Sequence, residues 1–181
     1  HPMYKENFGN PSSIHSEGRA ARVRLDEARE QVAELIGAQP GEVVFTSGGS
    51  ESNNFAILGV ALASENKKRH ILTCEVEHAA ILNPLKQMEK LGFNVDRLPV
   101  DNVGRIDPDR VKDAITEATV LVTIQHANSE VGTLQDIVKI GNYVREKGIL
   151  FHTDAVQSIG KVPVNVSELP VDLMSISSHK I

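Results

Sequence analysis

The chain has no tryptophan, a single cysteine and only 4% aromatic residues among its 181. One cysteine, Cys74, excludes an internal disulfide framework and fits a reducing compartment such as the cytoplasm. So few aromatics weigh against a base-stacking surface. Positive charge is not in excess either: 19 Lys+Arg stand against 24 Asp+Glu, a net charge of −5, which argues against non-specific nucleic-acid binding. No apolar run approaches the roughly eighteen residues of a membrane span. The opening residues HPMYKE lack the basic-then-apolar pattern of a signal peptide. Repeats and low-complexity tracts are also missing. Neither a nucleic acid nor a membrane is therefore expected as a partner. What is there, 40% hydrophobic and 24% charged residues, suits a soluble globular chain of about one domain. It opens without a methionine and stops just after an apolar run, which reads as a piece of something longer.

Residues 5–13 (KENFGNPSS) are rich in turn formers, and Ser12 or Ser13 is placed to cap the helix that follows. From about 17 to 37 the residues Ala20, Val23, Ala28, Val32, Leu35 and Ile36 recur at helical spacing, and Gly37 is a natural stop. Strands are then expected at 42–46, 70–74, 94–100, 119–126, 149–154 and 172–177. Helices are expected at about 51–63, 78–91, 108–116 and 136–147. This alternation predicts an α/β domain, three layers deep, with a mostly parallel sheet. In such sheets ligands bind beyond the carboxyl ends of the strands.

The residues at those ends are unusually polar. After Thr46 comes SGGSES and then a helix, so glycine backbone, the Ser47, Ser50 and Ser52 hydroxyls and a helix N-terminus converge in a way that suits a phosphate. An ordinary glycine turn accounts for the same residues about as well. It is not a Walker loop, since no Gly-Lys-Ser/Thr follows, nor a nucleophile elbow, since the closing glycine is missing. His78 follows the strand ending at Cys74; it suits ring stacking or proton transfer, although a lone loop histidine is more often simply exposed. Asn128 and Ser129 follow the strand ending at His126. Asp154 ends the next strand, with Gln157 three residues on, and a carboxylate there suits a protonated ring nitrogen. His152 shares its face, but no further ligands complete a metal set with the pair. The last strand runs into Ser177, His179 and Lys180. A lysine for an imine, a phosphate cup and an acidic partner for a ring nitrogen are the parts of a pyridoxal 5'-phosphate (PLP) site. A hydrolase built on Ser50, His78 and Asp154 has no support in the spacing.

These stretches, in order, resemble the NifS-like cysteine desulfurases of the class V aminotransferase group of fold-type I PLP enzymes. The resemblance rests on FGNPSSIH (8–15), FTSGGSESNN (45–54), EVEHAAIL (75–82), HANSEVGTLQD (126–136), HTDAVQSIGK (152–161) and DLMSISSHKI (172–181). It covers essentially the whole chain and implies a loop segment over 1–15 and part of the large PLP-binding domain over 16–181. A small C-terminal domain is then absent from the sequence.

The resemblance implies Lys180 as the imine-forming lysine and Asp154 as the partner of the pyridinium nitrogen. It implies Gln157 near the phenolate oxygen, and His78 as the ring-stacking acid/base group. Gly49, Ser50, Ser177 and His179 match phosphate-holding positions. Ser50 stands where the family usually has threonine. At 128–129 the family usually has Asn-Asn, so its cofactor contact falls either to Ser129 or to Asn128. The implied reaction takes L-cysteine to L-alanine and leaves a persulfide on a cysteine beyond residue 181. That sulfur passes to an Fe–S scaffold or another acceptor protein, and the enzyme is a cytoplasmic homodimer. Cys74 lies in the wrong place to be the sulfur acceptor and reads as a small buried apolar residue. A selenocysteine lyase or another class V reaction, and an inactive module that only dimerises or binds, are the competing readings.

Overall fold

The structure, a computed structural model, describes residues 2–64 and 68–181; His1, in the expected loop segment 1–15, lies outside them. The described chain forms two compact units. One holds residues up to Phe45 together with Asn165–Ser167, and the other holds Thr46–Val164 and Glu168–Ile181. The boundary expected at 15/16 falls inside the first unit.

The first unit contains α1 (Pro2–Lys5) and the long α2 (Ser16–Ile36). Asn10 turns the chain before α2: its side chain accepts from the Ser12 N–H at 2.9 Å and its carbonyl from the Ser13 N–H at 2.9 Å. That turn delays the helix, so the cap is His15 rather than Ser12 or Ser13, with its ring Nδ1 accepting from the Gly18 N–H. Gly37 ends α2 with φ +71°, a left-handed value that favours glycine. The expected apolar stripe is largely unburied: Ala20, Val23 and Leu35 are exposed, and only Ile36 is buried. The buried residues are Gly18, Ala21, Ala33 and Ile36. The helix is seated through Gly18, where a Cβ would come within 2.5 Å of the Ser13 carbonyl oxygen, rather than through a broad aliphatic face.

The strand expected at 42–46 does not form. Pro40–Glu42 is a 3-10 turn, and residues 43–46 have no ladder partner among the described residues. Val44 and Phe45 remain exposed, while Arg29 donates to the Val43 carbonyl and lies over the Phe45 ring at 4.9 Å. High β-propensity cannot make a strand without a neighbour to pair with.

The second unit is the α/β body. Its strands β1 (His70–Cys74), β2 (Asn94–Leu98), β3 (Thr119–Thr123), β4 (Leu150–Asp154) and β5 (Leu173–Ser175) form one all-parallel sheet in the order β2-β1-β3-β4-β5. Helix α3 (Gly49–Ala63) precedes β1, and α4 (Ala79–Lys90), α5 (Pro108–Ala114) and α6 (Ile137–Glu146) make successive crossovers. Strand alternation divides the core in two. Ile71, Val95 and Leu121 pack with Ile57 and Ala61 of α3 and Ile81, Leu85 and Met88 of α4. Leu72, Cys74, Val122, Ile124 and Phe151 pack with Val111 of α5 and Ile137, Ile140 and Val144 of α6. Helices thus cover both faces, as a parallel sheet requires. Because β1 lies between β2 and β3, the connections leave its two sides in opposite directions. That reversal opens a crevice at the carboxyl ends of β1 and β3.

Candidate functional site

A cavity of about 300 Å³ lies at those carboxyl ends, at the small end of the range for ligand pockets. Every wall comes from the α/β body. The first turn of α3 brings Gly49, Ser50 and Asn53, the end of β4 brings Asp154, and the chain beyond it brings Val156 and Gln157. His78 enters from the turn after β1, Gln125 and Ser129 from beyond β3, and Ser177, His179 and Lys180 from beyond β5. Eight of the nine cofactor-binding candidates and both catalytic candidates line this one cavity; Asn128 does not.

Part of the lining is made of glycine backbone and hydroxyl groups. Gly49 opens α3, and a Cβ there would meet Val156 Cγ2 at 3.0 Å and Ser177 Cβ at 3.7 Å, so glycine keeps the cup open. The Ser177 hydroxyl and His179 Nδ1 are 2.8 Å apart. The start of α3 adds free backbone N–H groups and the positive end of its dipole.

The lining also carries a carboxyl group. Asp154 is buried, with Oδ2 accepting from Asn53 Nδ2 at 2.8 Å and Oδ1 from the Val156 N–H at 3.0 Å. Both carboxyl oxygens thus receive donors. Asn53 is a site residue that the sequence patterns do not single out. A signal is present all the same, since position 53 lies one helical turn beyond 49 and 50 and faces the same way.

A buried polar chain ties the sheet to α3 behind the cavity. Thr123 Oγ1 meets His152 Nδ1 at 2.8 Å, His152 Nε2 meets Ser175 Oγ at 3.0 Å, and Ser175 Oγ meets Ser52 Oγ at 2.8 Å. With both nitrogens engaged, His152 has none left for a metal. Burial pushes its pKa down to about 4, so the ring is neutral at ordinary pH.

The turn carrying His78 is fastened to the end of β3. The Gln125 side chain and the Asn128 side chain both donate to the Val76 carbonyl, at 2.8 Å and 3.0 Å, and the Gln125 N–H donates to Glu77 Oε1 at 2.7 Å. His78 itself caps α4, Nδ1 accepting from the Ala80 N–H at 3.1 Å. Asn128 Oδ1 accepts from the Glu130 and Val131 N–H groups, so both ends of its amide are engaged in shaping the loop. Ser129 is the residue of that pair at the cavity wall.

The chain is similar to proteins of the aminotransferase class-V family over residues 1–181. One curated relative, the cysteine desulfurase IscS of Dictyoglomus turgidum, is 54% identical over 99% of this chain and 45% of its own length. Among solved structures, one described as SspA in complex with cysteine has a TM-score of 0.96 at 42% identity, with 99% of this chain and 52% of that one covered. Another, described as a NifS-like protein, has a TM-score of 0.95 at 40% identity, covering 99% and 50%. The chain thus spans about half the length of the relatives it matches.

Proposed function

The chain belongs to the aminotransferase class-V family, and on that premise we propose that it binds pyridoxal 5'-phosphate and forms part of a cysteine desulfurase. The observation that carries the reading is the convergence of Lys180, Asp154 and the Gly49–Ser50–Ser177 cup on one cavity. Three elements far apart in sequence meet there with the three chemistries the cofactor needs: an amine, an acceptor for a ring N–H, and donors for a phosphate.

The donor set fits the group. Gly49, Ser50, Ser177 and His179 hold the phosphate, and Asp154 accepts from the ring nitrogen. Gln157 reaches the phenolate oxygen, while Ser129 takes the contact that the family gives to asparagine. Asn53 adds a buried Oδ1 with no partner among the described residues. When bound, the cofactor supplies an aldehyde for amines and a protonated ring that draws electrons from the substrate α-carbon. Lys180 provides the amine that holds it. His78 and Lys180 are the groups placed to accept and return the α-proton.

The substrate is L-cysteine, as the description of the cysteine-bound relative supports, and the carbon product is L-alanine. The sulfur leaves on a thiolate that is not Cys74, which is fully buried at the end of β1. An Fe–S scaffold or another sulfur-acceptor protein then takes it, in a cytoplasmic homodimer. Among the described residues no helix is long and apolar enough to cross a membrane.

The test is a titration of the chain with PLP, monitored by visible absorbance. A saturable band that disappears in Lys180→Ala is expected. The same spectrum in both proteins would refute the reading.

A further inference from the structure

Glu77 is a buried acidic side chain that the proposed mechanism does not use. It sits between Cys74, the last residue of β1, and His78, the cap of α4. Its Oε1 accepts from the Gln125 N–H at 2.7 Å and from the Cys74 thiol at 3.2 Å. Its Oε2 is buried and has no partner among the described residues. The titratable groups acting on it are the Cys74 thiol from β1 and the Asp154 carboxyl from β4; no cation is among them.

An ionised carboxyl here would leave one oxygen dry and would face a second carboxylate. Both are costly in a low-dielectric interior. A neutral carboxyl keeps Oε1 as acceptor for its two donors and carries its proton on Oε2. Burial, with the Asp154 charge adding to it, raises the pKa to about 8, in line with that geometry.

We infer that Glu77 is a positioning residue that acts as a neutral acid: its Oε1 fastens the His78 turn to the end of β3, and its proton leaves Asp154, in the cavity wall, as the one negative charge of the pair. The meaning of this for catalysis rests on the PLP reading, but the protonation and the positioning do not.

The experiment uses the 181-residue chain and its Glu77→Gln and Glu77→Ala variants. In infrared spectra at about pH 6, roughly two units below the raised pKa, a protonated-carboxyl carbonyl band is expected. It fades as pH rises through about 8 and is missing from Glu77→Gln. In NMR spectra the His78 ring resonances stay in place in Glu77→Gln, where an amide oxygen replaces Oε1, and move in Glu77→Ala. PLP affinity splits the same way, within about twofold for Glu77→Gln and weaker by at least about tenfold for Glu77→Ala. Absence of the acid band overturns the inference. So does a Glu77→Gln chain whose His78 signals shift as they would for a lost carboxylate. Should Glu77→Ala fail to fold, the Glu77→Gln spectra still decide. A wild-type chain with no lysine-dependent PLP band would refute the cofactor reading and leave the acid band and the His78 signals as the test of Glu77.

Discussion

Asn53 Nδ2 donates to Asp154 Oδ2 at 2.8 Å, joining the first turn of α3 to the end of β4 across 101 residues of sequence. The contact links the α3 wall of the cavity to the Asp154 carboxyl group, because Asn53 sits one turn after Gly49 and Ser50.

Replacing Asn53 with alanine removes a hydrogen bond to a buried carboxyl group and leaves its oxygen without that donor. The expected cost is about 2 kcal/mol of folding stability, measured by urea denaturation. PLP affinity is expected to fall about tenfold as Asp154 loses its orientation. Unchanged affinity together with unchanged stability would mean that the contact does not hold the carboxylate.

Gly49→Ala separates space from stability. Alanine suits a helix start at least as well as glycine, so the denaturation midpoint should barely move. The new Cβ meets Val156 Cγ2 at 3.0 Å inside the cup. Weaker PLP binding, by about tenfold or about 1.4 kcal/mol, is the expected readout in an absorbance titration.

Much of the fold is legible in the sequence, for a physical reason. The strands at 70–74 and 119–123 are short, mostly apolar runs between helical segments, and burial on both faces leaves that mark directly, whereas the edge strand at 94–98 shows only the apolar Val95 and Leu98 among polar residues. Lys180, Asp154 and His78 are legible too, because each stands at or just past the carboxyl end of a strand, where a parallel sheet binds its ligands. Residues 42–46 have the same β-branched character, but a strand exists only with a partner, and that requirement is not local. Asn53 and Glu77 escape because their contacts lie with residues distant or separate in the pattern: Asp154, which accepts from Asn53, and Gln125 and Cys74, which donate to Glu77. No spacing rule reports such contacts. The same holds for Asn128 and Ser129, which only the folded loop tells apart.

His152 gives the fold an acid limit. Its folded-state pKa, about 4, lies below the ordinary 6.5. Its contribution to stability is complete above pH 6.5 and is lost as pH falls toward 4, because the unfolded chain takes up a proton that the buried ring refuses. The loss reaches roughly 3 kcal/mol. Urea midpoints measured across this window should fall in the wild type and fall less in His152→Gln. Equal slopes would show that the ring is not kept neutral.

Cys74 should be chemically silent while the chain is folded. Burial and the neighbouring Glu77 carboxyl push its thiol well above the ordinary range, and it donates to Glu77 Oε1. Incubation with iodoacetamide at about pH 8, read by intact mass, should give no adduct in buffer and one in denaturant. Rapid labelling of the native chain would contradict the buried placement.

The most direct measurement of the central claim is reduction of the PLP-loaded chain with borohydride and then peptide mass mapping. The account requires a single phosphopyridoxyl label, carried on Lys180. A label on another lysine, such as the nearby Lys161 whose Nζ donates to the Lys180 carbonyl, or no label at all, would contradict it.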